Sequence, residues 1–464
     1  MRISIFAQVE GDDLEAARTV PIGTIERDSL SDPASGMGLW VQEAHELLEH
    51  IQTVVLDEQA DQFIRAAAHC LACSKPLGIK DTKSLVYRTA FGKMSLRSPR
   101  FYSCCPQCGF QSGDGGTVSP LAKALRERVH PQWAWLQCRY ASTMSYRLAQ
   151  ILLRDAFPGG KSLPSSSIKA KVLAVGERLE YEASLATAVA ADERTAPKDQ
   201  PKTGLQLALQ IDAGYIRTSC KASPGAWMPV VASKLVPPTR HRSFAHAYVP
   251  SLVARQGVRQ QAFLRSLKVP ASATITVLSD GGDDISLACK LPCAAERVLD
   301  WFHIGMYFER LLKAIPGLKG ADILTKEQMQ RKVVAAKRLL WHGRKNDCLA
   351  ALEVLRRDTG WVGARNPLGR VIRYLRACAS LLVNYAARRR KGQPISSAGA
   401  ESAVDFVIGQ RMKRNGHMRW TPVGANANLQ VRCAVLNGQD MRNFKRWYPP
   451  GARLAWLQAP AAAS

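Results

Sequence analysis

The stretch Leu205–Asp212, with the sequence LQLALQID, alternates apolar with other residues and finishes on an acidic side chain. Such a period of two is typical of a strand that has one face on a core. A second apolar run, ITVLS over 275–279, is followed directly by Asp280. We therefore predict two strands that each present a carboxylate at their end, one at Asp212 and one at Asp280.

Strand and helix patterns alternate on both sides of these two stretches. Residues 215–219 and 228–236 have the pattern of a second and a third strand, and residues 251–267 that of a helix. Residues 296–300 resemble a short fifth strand. From 303 to 390 apolar residues recur almost throughout at helical spacing, which predicts a long helical segment after the strands.

The composition favours a globular protein with a polyanionic partner. A chain of 464 residues is too long for one ordinary core, so we expect two to four domains. The 64 Lys+Arg against 38 Asp+Glu give a net charge of +26. Such an excess attracts nucleic acid in a salt-dependent way. A solvated basic surface and a ribosome-associated protein are the alternatives.

The expected compartment is cytoplasmic and nucleoid-associated. No stretch has the ~18 uninterrupted apolar residues of a membrane span. The first residues are followed at once by Glu10, Asp12 and Asp13, so the apolar region of a signal peptide is missing. Cysteines in such a compartment stay reduced, and paired spacings then indicate metal before disulfide.

Two CxxC pairs, Cys70–Cys73 and Cys105–Cys108, flank a strand-rich stretch. Four thiolates from two such turns bind Zn²⁺ tetrahedrally and can replace a hydrophobic core. The ligands would be Cys70, Cys73, Cys105 and Cys108. Cys104 is an alternative to Cys105. We therefore predict a structural Zn²⁺ site in a zinc ribbon.

The helical pattern that follows has a break around residues 157–160. The serines at 165–167 could cap and start the recognition helix of a helix-turn-helix motif. This helix would offer Lys169 and Lys171 to DNA. An ordinary helical hairpin is the alternative. A helix over 39–68 and a linker with Ala and Pro residues over 188–203 complete the N-terminal half.

A third acid, Glu401, is predicted to lie just inside a helix. Carboxylates at neighbouring strand ends, plus one from a helix, can meet although they are far apart in sequence. Mg²⁺ prefers such hard oxygen ligands, and two divalent ions can work together on a phosphodiester. Each acid alone could instead be a turn residue or a partner of a helix dipole. Asp283 and Asp284 are alternative ligands to Asp280.

Basic side chains follow Glu401 closely. A solvated helix face is the usual reason for such a run, but beside a catalytic acid phosphate contacts are the better interpretation. The side chains expected to contact phosphates here are Arg411, Lys413, Arg414 and Arg419.

Four ordered motifs resemble those of a known family. They are IDAGYIR over 211–217, VLSDG over 277–281, VLDWFHI over 298–304, and Glu401 running into GQRMKR over 409–414. In this order they resemble the DDE transposases of insertion sequences of the ISKra type and, more loosely, the Mutator-like group. The resemblance covers about residues 60–440. It implies an RNase H-like fold interrupted by a helical insertion between the second Asp and the Glu.

The resemblance also implies roles and partners. Asp212, Asp280 and Glu401 would be the catalytic acids that hold two Mg²⁺ ions. Asp300 and His303 match an auxiliary motif, in which the His could orient a phosphate or be structural. The implied activity is binding of a mobile element's terminal inverted repeats, followed by Mg²⁺-dependent cleavage and strand transfer of double-stranded DNA by a dimer or larger oligomer.

Two alternatives remain at this stage. One is a DNA-binding protein with an inactive or repurposed RNase H-like domain, and the other is a metal-dependent nuclease without strand transfer. In each case we expect an α+β multidomain protein: an RNase H-like α/β core, split by an all-helical insertion and preceded by a zinc ribbon and a helical DNA-binding region. The expected segments are an N-terminal helical region (1–68), the zinc ribbon (69–116), helices with a possible helix-turn-helix (117–187), a linker (188–203), the first part of the core (204–302), the insertion (303–395), the last part of the core (396–440) and a tail (441–464).

Overall fold

The computed structural model describes most of the chain and shows a mixed α+β protein, as expected from the sequence. By contacts, the chain divides into two compact units, Met1–Val172 with Gly438–Ser464, and Leu173–Asn437. Within the described ranges no helix is long and apolar enough to cross a membrane. The described residues are 1–10, 17–27, 37–70, 73–102, 116–192, 205–219, 227–236, 243–270, 272–293, 295–317, 324–359, 366–397, 403–413 and 418–449.

The first unit begins with an antiparallel hairpin, β1 (Arg2–Val9) and β2 (Arg18–Glu26), followed by helix α1 (Val41–Ala66). The helix confirms the prediction for residues 39–68. It starts after Trp40, whose N–H donates to the Glu43 carboxylate at 2.9 Å and so satisfies one of the unpaired groups of the helix start. The hairpin was not expected, because this region was predicted to be helical.

A three-stranded antiparallel sheet follows, in the order β3 (Ile79–Thr89), β4 (Gly92–Tyr102) and β5 (Thr117–Val118). The strands expected after the first cysteine pair are thus present. One face of the sheet packs with α1 in a core that includes Leu85, Leu96 and Phe101. The β3–β4 turn falls at residues 90–91, so that Gly92 opens β4 rather than forming part of the turn.

The remaining helices of this unit follow the sheet, and the first two of them contact it. They are α2 (Pro120–Ala124), α3 (Pro131–Thr143), α4 (Tyr146–Ala156) and the start of α5 (Ser165–Asp192), together with a C-terminal helix, Asp440–Trp447. The predicted break is a 3₁₀ turn, Pro158–Gly160, and α5 begins at the predicted Ser165. The linker prediction was wrong for residues 188–192, which still belong to α5, because their alanines are strong helix formers.

The second unit contains a five-stranded sheet with the order β10–β9–β6–β7–β8. β6 (Gln206–Arg217), β7 (Trp227–Val236) and β8 (Phe244–Tyr248) are antiparallel neighbours. On the other side of β6, β9 (Thr274–Ser279) and β10 (Ala295–Leu299) run parallel to it. Helix α6 (Gln256–Ser266) connects β8 to β9.

The extent of β6 differs from the prediction. The sequence suggested a strand end at Asp212 and a separate strand over 215–219, but one strand runs from Gln206 to Arg217. It continues because its pairing with β7 extends to Arg217, whereas its pairing with β9 stops at Gln210. Asp212 therefore lies within β6, two residues beyond the parallel pairing (212 − 210 = 2).

Five helices follow β10 and confirm the predicted helical segment in its described parts. Their apolar sides form one cluster with Leu278 of β9 and with Val298 and Leu299 of β10. The sheet and the helices therefore share a core at the end of β9 and β10. The helices are α7 (Trp301–Ala314), α8 (Lys326–Trp341), α9 (Lys345–Asp358), α10 (Pro367–Ala377) and α11 (Tyr385–Arg390).

The last part of the unit returns to the antiparallel side of the sheet. A π turn, Asp405–Gly409, leads into α12 (Gln410–Met412), and α13 (Pro422–Leu436) packs on β8. The buried Arg432 of α13 donates to two backbone carbonyls of the π turn. These bonds satisfy carbonyl groups that the wider helical turn leaves without a regular α-helical partner.

Candidate active site

Asp212 lies on β6, and Asp280 directly follows β9, the parallel neighbour of β6. The last residues that β6 and β9 pair are Gln210 and Leu278. Continuing this register by two residues on each strand (212 − 210 and 280 − 278) brings Asp212 beside Asp280. Neighbouring strands are about 4.8 Å apart, so the two carboxylates share one edge of the sheet.

Asp300 extends this row on the far side of β9. The last residues that β9 and β10 pair are Ser279 and Leu299. One residue further on each strand (280 − 279 and 300 − 299) are Asp280 and Asp300. Three aspartates thus follow one another across β10, β9 and β6. We call Asp212, Asp280 and Asp300 the acid row.

The environment of Asp212 disfavours its negative charge. Burial raises the pKa of the Asp212 carboxyl to about 6. His303 lowers this pKa by its charge, whereas Asp280 and Asp300 raise it, and the N–H of Ala213, 2.8 Å from Oδ1, lowers it again. A partly buried carboxylate with two acidic neighbours favours the binding of a cation, which would offset the repulsion between the negative charges.

The loop after Asp280 is fixed by helix α10. The Asp280 carboxylate accepts the N–H of Gly282 at 2.8 Å, and the Asp280 carbonyl accepts the hydroxyl of Tyr374 at 2.9 Å. Gly281 has φ +79°, and a Cβ at this position would lie 2.4 Å from the Cys378 Sγ. The helical segment therefore determines the backbone that carries Asp280. Sequence reasoning did not identify Tyr374, because nothing in a helical pattern marks a tyrosine whose partner lies 94 residues away.

Asp300 differs from the other two acids because its carboxylate already has three donors. Oδ1 accepts the N–H of Phe302 at 2.9 Å, which caps α7, and the N–H of Ser397 at 3.0 Å. Oδ2 accepts the Ser397 hydroxyl. The side chain of His303 lies with its Nε2 4.0 Å from the same Oδ2. Asp300 is thus well suited to orient α7 and His303 and less suited to be an open metal ligand.

The third predicted acid, Glu401, lies outside the described residues. Among the side chains that the structure describes, no three His, Cys, Asp or Glu residues come together as a metal site. The carboxylate oxygens of Asp212 and Asp280 are nevertheless the donors that a hard divalent cation prefers. A metal site here would take its third protein ligand from a residue such as Glu401.

The raised pKa of Asp212 gives a prediction for the stability of the protein without added Mg²⁺. Its folded pKa, about 6, exceeds the ordinary value of 3.8, so the folded state binds this proton more tightly than the unfolded state. Asp212→Asn removes the buried charge. We expect the variant to be more stable than wild type at pH 8 by about 1–3 kcal/mol. The difference in the free energy of unfolding between Asp212→Asn and wild type should be full above pH 6. It should disappear as the pH falls from 6 to below 4, because the wild-type carboxyl then becomes neutral.

Urea denaturation between pH 4 and pH 8 measures this difference. Asp347→Asn, at an exposed position of α9, is the matched control and should change stability little at any pH. An advantage of Asp212→Asn that stays constant down to pH 4 would contradict a buried, charged Asp212.

The first predicted zinc turn is described only in part. Cys70 is buried, and its carbonyl accepts the N–H of Ser74 at 2.8 Å, while its own N–H donates to the carbonyl of Lys75 at 2.9 Å. Ser74 has φ +55°, typical of a tight turn. Cys73 is exposed. Cys104, Cys105 and Cys108 lie outside the described residues, so the Zn²⁺ site stays a prediction.

The two lysines predicted to contact DNA from α5 differ in their surroundings. Lys169 is exposed, as a phosphate contact requires. Lys171 is mostly buried, and its Nζ lies 3.4 Å from a carboxylate oxygen of Glu127. Lys169 is therefore the better candidate for DNA binding.

The basic residues after Glu401 also fall into two groups. Arg411 is only 2% exposed, and its guanidinium lies 5.2 Å from the centre of the Trp420 ring. The prediction of Arg411 as a surface phosphate contact was wrong, because stacking on an aromatic ring draws the guanidinium into the core. Lys413 and Arg419 are exposed. Arg414 lies outside the described residues.

Comparison with known proteins does not identify a family. No protein-family model matches the chain, and a search of the curated proteins gives no match either.

Proposed function

We propose that the protein is a DDE transposase whose second unit is an RNase H-like catalytic domain. The observation that carries this proposal is the placement of Asp212 and Asp280 at the same level, two residues beyond the last paired residues of two adjacent parallel strands. The sheet order supports it, since the antiparallel strands β6, β7 and β8 and the two strands β9 and β10, which run parallel to β6 on its other side, form one mixed sheet. The helical segment between β10 and residue 401 agrees with the insertion that the sequence resemblance implies.

The residues of the acid row have separate tasks in this proposal. Asp212 and Asp280, with Glu401, would hold Mg²⁺. When bound, such ions activate water or a 3′-hydroxyl for attack and stabilise the leaving oxygen of the phosphodiester. Asp300 caps α7 and orients His303. His303 would donate a ring N–H to a phosphate oxygen of the DNA strand.

The basic surface would hold the DNA beside the acids. The net charge is +26, and Lys413 and Arg419 are exposed in the same unit as the acid row. Contacts of this kind fix the position of the duplex and carry little sequence information. Recognition of the element's ends is assigned to the first unit, where Lys169 is exposed on α5.

The test uses the full-length protein with double-stranded DNA that carries the sequences flanking its gene. Nicked or cut ends that join to a target DNA in Mg²⁺ would support a transposase. Cleavage without joined products would replace this proposal with a metal-dependent nuclease. Specific binding without cleavage, in either Mg²⁺ or Mn²⁺, would overturn it in favour of a DNA-binding protein with an inactive domain.

A further inference from the structure

A cavity of about 590 Å³ opens in the second unit beside the ends of β6 and β7. Its inner wall is apolar and includes Ile216 and Met412, both buried. Its outer wall is formed by two aromatic and two cationic side chains, all exposed. We call this cavity the Trp227 pocket; its outer side chains are Tyr215, Arg217, Trp227 and Lys413.

The arrangement of Trp227 is that of a stacking surface. Trp227 is 57% exposed and is paired across the β6–β7 ladder with Arg217. The Arg217 guanidinium lies 5.4 Å from the centre of the Trp227 ring. Aromatic rings beside cationic side chains bind nucleobases without sequence preference, because every base has a π face and every nucleotide a phosphate.

The pocket lies close to the acid row along the same strand. Tyr215 is three residues from Asp212 on β6, or about 10 Å at 3.3 Å per residue. This distance corresponds to about three nucleotides, since each covers 3.4 Å along a duplex strand. The Tyr215 hydroxyl donates to the Asp284 carboxylate in the loop after β9. Tyr215 thus lines the pocket and is hydrogen-bonded to the loop that follows Asp280.

We propose that the Trp227 pocket binds an unpaired nucleobase of the DNA strand that is cut at the acid row. The base would stack on Trp227, and its phosphate would lie between Arg217 and Lys413. A base within a duplex cannot reach such a ring until it leaves the stack. The proposal rests on the proposed function and adds local strand separation beside the cleavage site.

The test measures binding of fluorescently labelled oligo(dT), and of a duplex of the same length, by anisotropy in buffer without added Mg²⁺. Because stacking of one base is worth about 5- to 150-fold in affinity, we expect Trp227→Ala to weaken oligo(dT) binding by about tenfold. Trp227→Phe, which keeps a ring, should retain most of the affinity. Duplex binding should stay close to wild type. Trp40→Ala, at a tryptophan that is 59% exposed in the first unit, is the matched control and should change neither affinity.

Two results would overturn the proposal. One is unchanged oligo(dT) binding by Trp227→Ala. The other is an equal loss for oligo(dT) and duplex, which would assign the residue to a general basic surface or to folding. A thermal melt of each variant separates these two causes. Since cleavage at the acid row would require Mg²⁺, which is not added, the result does not depend on whether the acid row is active.

Discussion

Asp280→Asn is expected to reduce Mg²⁺-dependent DNA cleavage by about 10³-fold or more. The substitution keeps the shape of the side chain and removes the charge that holds a divalent ion beside Asp212. Metal ions contribute several kcal/mol to transition-state stabilisation, and each 1.36 kcal/mol changes the rate by about tenfold. Single-turnover cleavage of end-labelled DNA, with enzyme in excess, measures the chemical step.

Asp283→Asn is the matched control for this prediction. Asp283 lies three residues beyond Asp280, in the 3₁₀ turn Asp283–Ile285, and not at the end of β9. Its replacement should leave the cleavage rate close to that of wild type. Loss of activity in Asp283→Asn together with retained activity in Asp280→Asn would identify Asp283 as the ligand and contradict the acid row.

Gly281→Ala is expected to have the second-largest effect, on stability and cleavage together. The glycine has φ +79°, which costs an alanine about 1–2 kcal/mol. Its new Cβ would lie 2.4 Å from the Cys378 Sγ and 3.0 Å from the Leu299 Cδ1, and overpacking of this kind costs about 1–3 kcal/mol. The free energy of unfolding should fall by about 2–5 kcal/mol, and displacement of Asp280 should abolish most of the cleavage. Urea denaturation and the cleavage assay measure the two effects.

Gly305→Ala is the control for the loss of a glycine. Gly305 lies in helix α7, and a Cβ at this position would meet no atom within 4 Å beyond its own helix backbone. Alanine there should stabilise the helix by about 0.5–1 kcal/mol. Adding Cys378→Ala to Gly281→Ala should restore part of the stability by removing the closest contact. If Gly281→Ala and Gly305→Ala changed stability and cleavage equally, the close contact of Gly281 with Cys378 would not constrain the loop after Asp280.

The sequence predicted those parts of the second unit that depend on local periodicity. The runs that became β9 and β10 and the helical segment after β10 are examples. It did not predict the length of β6, because the end of a strand depends on its partner, and β7 pairs with β6 as far as Arg217. The sequence pattern did not predict β8 either. The stretch FAHAY over 244–248 is short and contains two alanines, which have low strand propensity.

The composition of the candidate site was partly predictable, but its geometry was not. Asp212 and Asp280 could be predicted as candidate site residues because each follows a strand-like apolar run. Their alignment, in contrast, depends on the register of β6 against β9. The contacts of Ser397 with Asp300 span 97 residues and leave no local signal. The charge of Arg411 predicts an exposed side chain. The structure shows instead that this side chain is buried against the Trp420 ring.

Iron-mediated cleavage of the protein itself tests whether Asp212, Asp280 and Glu401 share one metal site. Fe²⁺ bound in place of Mg²⁺ generates hydroxyl radicals with ascorbate and peroxide, and these cut the polypeptide close to the ion. We expect cuts near residues 212, 280 and 401 that disappear together when Mg²⁺ is added in excess. Cuts at only one of these places, or cuts that excess Mg²⁺ does not suppress, would show that the three acids do not share one metal site.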